Sequence, residues 1–311
     1  DHRDLHSFPT RRSSDLGGVS SFVEAYSLPG DWILLNDTCY TGFQSTIANR
    51  GRNIVYSPVK ETADGWALDI EDMEKKIIEK KPPIMIFCNP HNPTGHAWSK
   101  EEMIAVVELC DKYGMLICSD EIWADFQTGG HKHVPLHTCC PRAKEIVFSM
   151  YAPSKTFNLA GLQGSYSVCW NPAMKARVAK AAVASHYNAA NVLSVHAAIG
   201  AYNGDEGAQY VDAMNAYIRE SQIWLKKELE TNIPGLRIHL PDATYLLWVN
   251  FEDYCKQKGC EFQEVLDKVT AKGVIPNDGR TFHGATHLRL NLACPRSQVE
   301  ECAKRMIEAL A

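Results

Sequence analysis

Residues 84–121 are IMIFCNPHNPTGHAWSKEEMIAVVELCDKYGMLICSDE, and this stretch indicates the fold class. It opens with an apolar run, continues through a polar loop, and then contains an amphipathic helix over residues 99–113 and a second apolar run. Ser99 and Glu102 form a capping box at the start of that helix, and Gly114 ends it. Short continuous runs rich in Ile, Val and aromatic residues are typical of strands buried on both faces. The stretch therefore predicts two parallel strands joined by a helix.

The same alternation extends in both directions along the chain. Short apolar runs lie at residues 32–35, 54–56, 84–88, 115–118, 146–150 and 166–170, with helical segments between them. This pattern predicts a mostly parallel α/β sheet. Near residue 204 the pattern changes to a long helix, at about 206–231, followed by mixed strands and helices. We predict a large α/β domain over residues 17–204 and a smaller α+β domain over residues 205–311.

The composition excludes several classes of protein. The 311 residues are 45% apolar and 22% charged, and the formal net charge is −5, so neither a basic nucleic-acid-binding surface nor a membrane span is expected. The 11 cysteines have no C-x₂-C spacing, which argues against a structural zinc site. In a chain of this length without a signal peptide they indicate reduced thiols and a cytoplasmic protein.

Residues 1–16, DHRDLHSFPTRRSSDL, show no apolar periodicity. The segment resembles, residue for residue, one reading frame of a common sequencing adapter. We therefore exclude it from the fold prediction as a non-native segment and take Gly17 as the first natural residue.

Three predicted strands end in polar residues that packing alone does not require. Asn92 follows the strand at 84–88, Asp120 follows the strand at 115–118, and Lys155 follows the strand at 146–150. Ligands bind beyond the carboxyl ends of strands in open α/β sheets, so these side chains are expected to converge. A lysine can form a Schiff base with an aldehyde, a carboxylate can keep a pyridine nitrogen protonated, and an amide can donate to a phenolate oxygen. These are the requirements of pyridoxal 5′-phosphate (PLP).

Four motifs carry a family resemblance. The strings CNPHNPTG, SDEIWADF, APSKTFNLAGLQ and LRLNLACPR resemble those of fold-type I PLP-dependent enzymes of the class I/II aminotransferase superfamily. They are most similar to the cystathionine β-lyase/C–S lyase subfamily. The resemblance implies a mostly parallel seven-stranded sheet, a PLP cofactor, an amino-acid substrate and a homodimer.

By position, the resemblance also implies roles for the three strand-end residues. Lys155 would bind the cofactor covalently and move protons at the substrate Cα, and Asp120 would pair with the pyridine nitrogen. Asn92 would donate to the cofactor O3′, and the Asn92-Pro93 peptide bond is expected to be cis.

Four further residues receive roles from the same resemblance. Tyr40 would stack on the pyridine ring, Ser154 is a candidate phosphate contact, and Trp123 is a candidate donor to O3′. Arg289 would bind the substrate α-carboxylate through two charge-assisted hydrogen bonds. Gln163 replaces an arginine that grips the phosphate in many relatives, which favours the C–S lyase branch.

The resemblance also places the phosphate loop of the family inside residues 1–16 and its N-terminal arm before the chain. We therefore expect the chain as written to bind PLP weakly and to turn over poorly.

Three functions stay open at the level of sequence. The leading hypothesis is a PLP-dependent C–S β-lyase that releases a thiol, pyruvate and ammonia from cystathionine or cysteine S-conjugates. An aminotransferase would use the same residues, and a PLP-binding regulatory protein is a third hypothesis.

Two other groups of side chains could suggest a metal site or a nucleophilic thiol, and we favour neither interpretation. The histidines at positions 131, 133 and 137 lack flanking metal ligands, so they indicate a solvated loop without a metal. Cys39 and Cys294 flank candidate site residues, but nothing nearby would activate either thiol.

Overall fold

The main sheet is mixed, with a parallel centre. A computed structural model describes residues 7–8, 16–185 and 191–311. The strands of the sheet are β1 (Ser7–Phe8), β2 (Trp32–Asp37), β3 (Asn53–Thr62), β4 (Gly65–Leu68), β5 (Ile84–Cys88), β6 (Leu116–Asp120), β7 (Val147–Tyr151) and β8 (Tyr166–Val168). They lie in the order β1-β8-β7-β6-β5-β2-β3-β4. Strands β3, β2, β5, β6 and β7 are parallel, whereas β4, β8 and β1 pair antiparallel at the edges.

Helices cover this sheet and also pack against the strands of the second half of the chain. They are α1 (Leu16–Tyr26), α2 (Thr41–Ala48), α3 (Ile70–Lys80), α4 (Lys100–Lys112), α5 (Ala143–Ile146), α6 (Pro172–Ala184), α7 (Val192–Tyr202), α8 (Asp205–Asn232), α9 (Glu252–Lys258), α10 (Phe262–Ala271) and α11 (Arg296–Leu310). The predicted β5–α4–β6 unit is confirmed. The capping box of Ser99 and Glu102 forms as expected, and Gly114 has a φ of 67° just after the helix.

The continuous apolar runs arise because both faces of the parallel strands are covered. Leu34 and Met85 point into a core shared with α3 and α4. Their chain neighbours Ile33 and Ile84 point into a second core, shared with α1 and α6. Since successive side chains of a strand alternate between faces, a strand buried on both faces has no polar positions to interrupt it.

A second, smaller sheet follows α8. Its strands are β9 (Arg237–Ile238), β10 (Leu246–Asn250), β11 (Asn277–Asp278) and β12 (His287–Asn291). They lie in the order β11-β12-β10-β9, and each pairing is antiparallel. One core joins this sheet to α8, α10 and α11, with Leu225, Val249 and Met306 among its buried residues. The region is thus an α+β layer, as the change of pattern near residue 204 predicted.

Three details differ from the sequence predictions. Within the segment excluded as adapter-like, Ser7–Phe8 pairs with β8 as an eighth strand, while residues 1–6 and 9–15 lie outside the described residues. The strand predicted over 166–170 ends at Val168, because an asparagine caps α6 just beyond it. The prediction of a cis peptide bond at Asn92-Pro93 is wrong, because the cis bond in the turn after β5 lies at Asn89-Pro90. A second cis peptide bond joins Asp37 and Thr38.

No helix in the described part of the chain is long and apolar enough to cross a membrane.

Candidate active site

A cavity of about 220 Å³ lies at the carboxyl ends of β5, β6 and β7. Six of the seven predicted site residues line it: Tyr40, Asn92, Asp120, Trp123, Lys155 and Arg289. The convergence follows from topology, because three neighbouring parallel strands end at the same edge of the sheet.

Asp120 is the last residue of β6, and its side chain is buried. The residue is 1% exposed, and its Oδ1 accepts a hydrogen bond from the backbone N–H of Ile122 at 3.2 Å. Sheet pairing fixes its position, since it lies opposite Cys88 on one side and Met150 on the other. A carboxylate held in this way faces the cavity from a rigid element, where its charge is poorly screened.

Lys155 approaches the cavity from the loop after β7. Its Nζ lies 5.7 Å from the centroid of the Trp123 ring, a cation–π distance. Trp123 is itself fixed by edge-on contact with Tyr245 at 4.7 Å and by Phe126 at 5.3 Å. The indole is therefore a wall that limits where the lysine amine can lie.

Arg289 enters the cavity from β12 of the second sheet. Its Nη1 donates to Asn92 Oδ1 at 2.7 Å and its Nη2 donates to Asn277 Oδ1 at 2.8 Å. The guanidinium lies 4.4 Å from the centroid of the Phe282 ring. Its Nε is buried without a hydrogen-bond partner among the described residues, and burial lowers the pKa of the guanidinium. Both acceptors are neutral amides, so the arginine is suited to bind an external anion.

Tyr40 stands at the entry to α2, just beyond the end of β2. It is the N-cap of that helix, and its ring meets Phe43 edge-on at 5.5 Å. A glycine at position 42 makes this placement possible, because a Cβ there would lie 2.5 Å from Tyr40 Cε1. The result is a flat aromatic face at the cavity.

Ser154 lies beside the cavity rather than in its wall. It lines an adjoining cavity of about 420 Å³ that shares Lys155, Tyr245 and Asn291 with the first. The residue is 3% exposed, and its Oγ is buried without a hydrogen-bond partner in the part of the chain that the structure describes. An unpaired buried hydroxyl next to Lys155 is available to a polar ligand.

Sequence reasoning missed three polar residues that line the cavity: Asn277 and Asn291 of the second sheet, and Tyr245, which directly precedes β10. Asn291 lies two residues after Arg289 on the same strand, so strand alternation could have placed it on the same face. Asn277 lies directly opposite Arg289 in the pairing of β11 with β12, which only the register reveals.

The prediction of a solvated histidine loop was wrong for two of its three members. His133 Nε2 lies 2.7 Å from Glu121 Oε2, and His137 Nδ1 lies 3.0 Å from Ser149 Oγ; both histidine side chains are buried. The cause is Glu121, which is fully buried and needs partners. Burial would raise the pKa of Glu121, but its hydrogen bonds, above all the one with His133, outweigh burial, and the pKa is lowered.

Neither cysteine near the site is activated. Burial raises the pKa of the Cys39 thiol to about 12 and also raises that of Cys294. Thiolates are therefore disfavoured at both positions.

Comparison with known proteins identifies the family. The model of the family described as aminotransferase class I and II matches residues 14–306. The chain belongs to this family. The cystathionine β-lyase PatB of Bacillus subtilis is 32% identical over 94% of this chain and 75% of its own length. The protein MalY of Escherichia coli is 27% identical over 94% of this chain and 74% of its own length.

Solved structures confirm the fold. A PLP-bound aminotransferase-type structure from Clostridium difficile superposes with a TM-score of 0.91 at 30% identity, covering 100% of this chain and 78% of that one. A PLP-bound C–S lyase from Staphylococcus hominis superposes with a TM-score of 0.88 at 27% identity, covering 100% and 77%. The expected fold type I, with a mostly parallel sheet, is thereby confirmed.

Proposed function

We propose that this chain is a PLP-dependent C–S β-lyase that releases a thiol, pyruvate and ammonia from cystathionine or cysteine S-conjugates. One observation carries the proposal: Asp120, Lys155 and Arg289 face a single cavity, although they come from three separate segments of the chain. Family relatives with the name cystathionine β-lyase support it.

The residues present fit PLP. When bound, PLP supplies a pyridine ring that withdraws electrons from the substrate Cα. Buried Asp120 would hold the ring nitrogen protonated, since an opposite charge favours the cationic form. Tyr40 would lie against the ring, and the unpaired Ser154 hydroxyl would donate to the phosphate. Trp123 borders the lysine amine and would limit its movement.

The orientation of Asn92 also agrees with a donor role toward the cofactor. A guanidinium can only donate, so the side-chain oxygen of Asn92 must face Arg289. Its NH₂ group is then the end left for the cofactor O3′.

The protein side chains account for binding and proton transfer. Arg289 would bind the substrate α-carboxylate while keeping Asn92 oriented. The Lys155 amine would hold the cofactor and would also remove the proton from the substrate Cα. The electron pair left at Cα forms a double bond to Cβ, and the C–S bond breaks with release of a thiolate. Hydrolysis of the remaining three-carbon fragment gives pyruvate and ammonia.

Incubation of the PLP-loaded protein with cystathionine tests this function. We expect thiol and pyruvate to form in equal amounts, because each cleavage yields one of each. A 2-oxo acid that keeps the thioether, formed without thiol, would instead identify an aminotransferase.

We also propose that the protein is a homodimer. Helix α7 exposes an apolar face, on which Val192, Leu193 and Ile199 are 64%, 61% and 53% exposed. An apolar patch of this kind is typical of a protein–protein interface. Sedimentation over a range of protein concentrations tests the assembly.

A further inference from the structure

A carboxylate outside the cavity links the loop that follows Asp120 to the loop that carries Lys155. Asp125 lies in the loop after β6, and its Oδ2 accepts a hydrogen bond from Thr156 Oγ1 at 2.7 Å. Thr156 directly follows Lys155. The same Oδ2 accepts a second hydrogen bond, at 2.8 Å, from the hydroxyl of Tyr202 at the end of α7.

The backbone of Asp125 is held from the opposite side. Asn215, in the long helix α8, donates from Nδ2 to the Asp125 backbone oxygen at 2.9 Å. Its Oδ1 accepts from the backbone N–H of Gln127 at 3.1 Å. Asp125 is thus fixed at both its main chain and its carboxylate, which makes it a firm anchor for Thr156.

The loop that carries Lys155 needs such an anchor. Two backbone hydrogen bonds, from Phe157 N–H to the Pro153 oxygen and from Leu159 N–H to the Ser154 oxygen, stay within the loop. Pairing of β6 with β7 fixes the start of this loop beside β6, but these bonds do not fix the position of Lys155 further along it. A lysine has four rotatable methylene groups, so the position of its backbone decides where its amine can reach at low entropic cost.

We propose that Asp125 is a positioning residue for Lys155. Through Thr156, it sets the separation between the lysine amine and the carboxylate of Asp120, so that one cofactor can meet both groups. The inference rests on the proposed role of Lys155.

Removal of the hydrogen bond from Thr156 to the Asp125 carboxylate should weaken cofactor binding. In Thr156→Val, the covalently bound cofactor should dissociate about tenfold faster, the factor expected for loss of a hydrogen bond to a charged group. The pH midpoint of its visible absorbance should also move, because the lysine is held less firmly beside Asp120. Thr156→Ser keeps the hydroxyl and should restore both quantities. Asp125→Asn should speed cofactor dissociation more than Thr156→Val does, because it weakens the acceptor that Thr156 and Tyr202 share.

Thr128 offers a matched control in the same region. Its Oγ1 is also buried but has no hydrogen-bond partner among the described residues. Thr128→Val should therefore keep the wild-type dissociation rate and midpoint. A purely structural role would lower the melting temperature of Thr156→Val and leave the midpoint at the wild-type value.

The outcomes separate the two proposals. A wild-type midpoint in Thr156→Val, or a failure of Thr156→Ser to restore it, overturns the positioning role and leaves the proposed function intact. Absence of a covalent cofactor on Lys155 in the wild-type protein overturns both.

Discussion

The two sides of the cavity are built on different principles. On the first-sheet side, Asp120 ends one of three neighbouring parallel strands, and Asn92 and Lys155 follow the other two. On the second-sheet side, Arg289 lies within an antiparallel strand and depends on how the two sheets sit against each other. The first side is therefore fixed by strand order, whereas the second is fixed by contacts between the sheets.

Partly exposed ion pairs are among the contacts that hold the two sheets together. Glu61 is on β3, and its Oε1 lies 2.7 Å from Nε of Arg237, in β9, and 2.9 Å from Nε2 of His239, just after β9. His96, in the loop after β5, lies 2.7 Å from Asp242. Partly exposed ion pairs of this kind each contribute little to stability. We therefore expect substrate binding, on the second-sheet side, to be easier to perturb than cofactor binding, on the first-sheet side.

The largest effect is expected on the first-sheet side, from Lys155→Ala. In the proposed mechanism, loss of the amine removes both the covalent attachment and the proton acceptor, so turnover should fall by about 10⁴-fold. The rate of thiol release measures it. Lys180→Ala, which changes an exposed lysine of α6, should retain the wild-type rate. Near-normal turnover in Lys155→Ala would contradict the prediction that the first-sheet side has the larger effect on turnover.

A smaller effect is expected on the second-sheet side, from Arg289→Lys. Lysine keeps the charge but cannot make two parallel hydrogen bonds to a carboxylate, so kcat/KM should fall by about 30-fold, or roughly 2 kcal/mol. Steady-state kinetics with cystathionine measures it, and cofactor binding should be retained. Arg280→Lys, in an exposed ion pair with Asp278, serves as the control. An equal loss in both variants would argue against carboxylate binding by Arg289.

The smallest effect is expected at the contact between the sheets, from Glu61→Gln. The hydrogen bond from His239, followed by that from Arg237, lowers the pKa of Glu61 to about 2. A lowered carboxyl pKa stabilises the folded state above the ordinary pKa, and that contribution is lost as pH falls toward about 2. The pair is partly exposed, so the contribution should be below about 1 kcal/mol.

Thermal unfolding across this acidic range should therefore show wild type losing its advantage over Glu61→Gln as pH falls. Glu108→Gln, at an exposed position of α4, should match wild type at each pH. A constant difference between wild type and Glu61→Gln would contradict the titration of Glu61.

The same contrast explains what the sequence could predict. Asn92, Asp120 and Lys155 were predictable because apolar runs mark the strands and polar residues mark their ends. Asn277 was not, since its place beside Arg289 depends on strand register. The buried pair of Glu121 and His133 was missed for a related reason: a charged side chain gives no sequence signal of the partner that burial obliges it to find.

Reduction of the PLP-loaded protein with borohydride, followed by peptide mapping, tests the assignment of the site most directly. Reduction makes the bond between the cofactor and its lysine permanent. We predict that the cofactor mass lies on the peptide that contains Lys155 and is absent from that peptide in Lys155→Ala. A stoichiometric adduct on any other lysine would contradict the proposed active site.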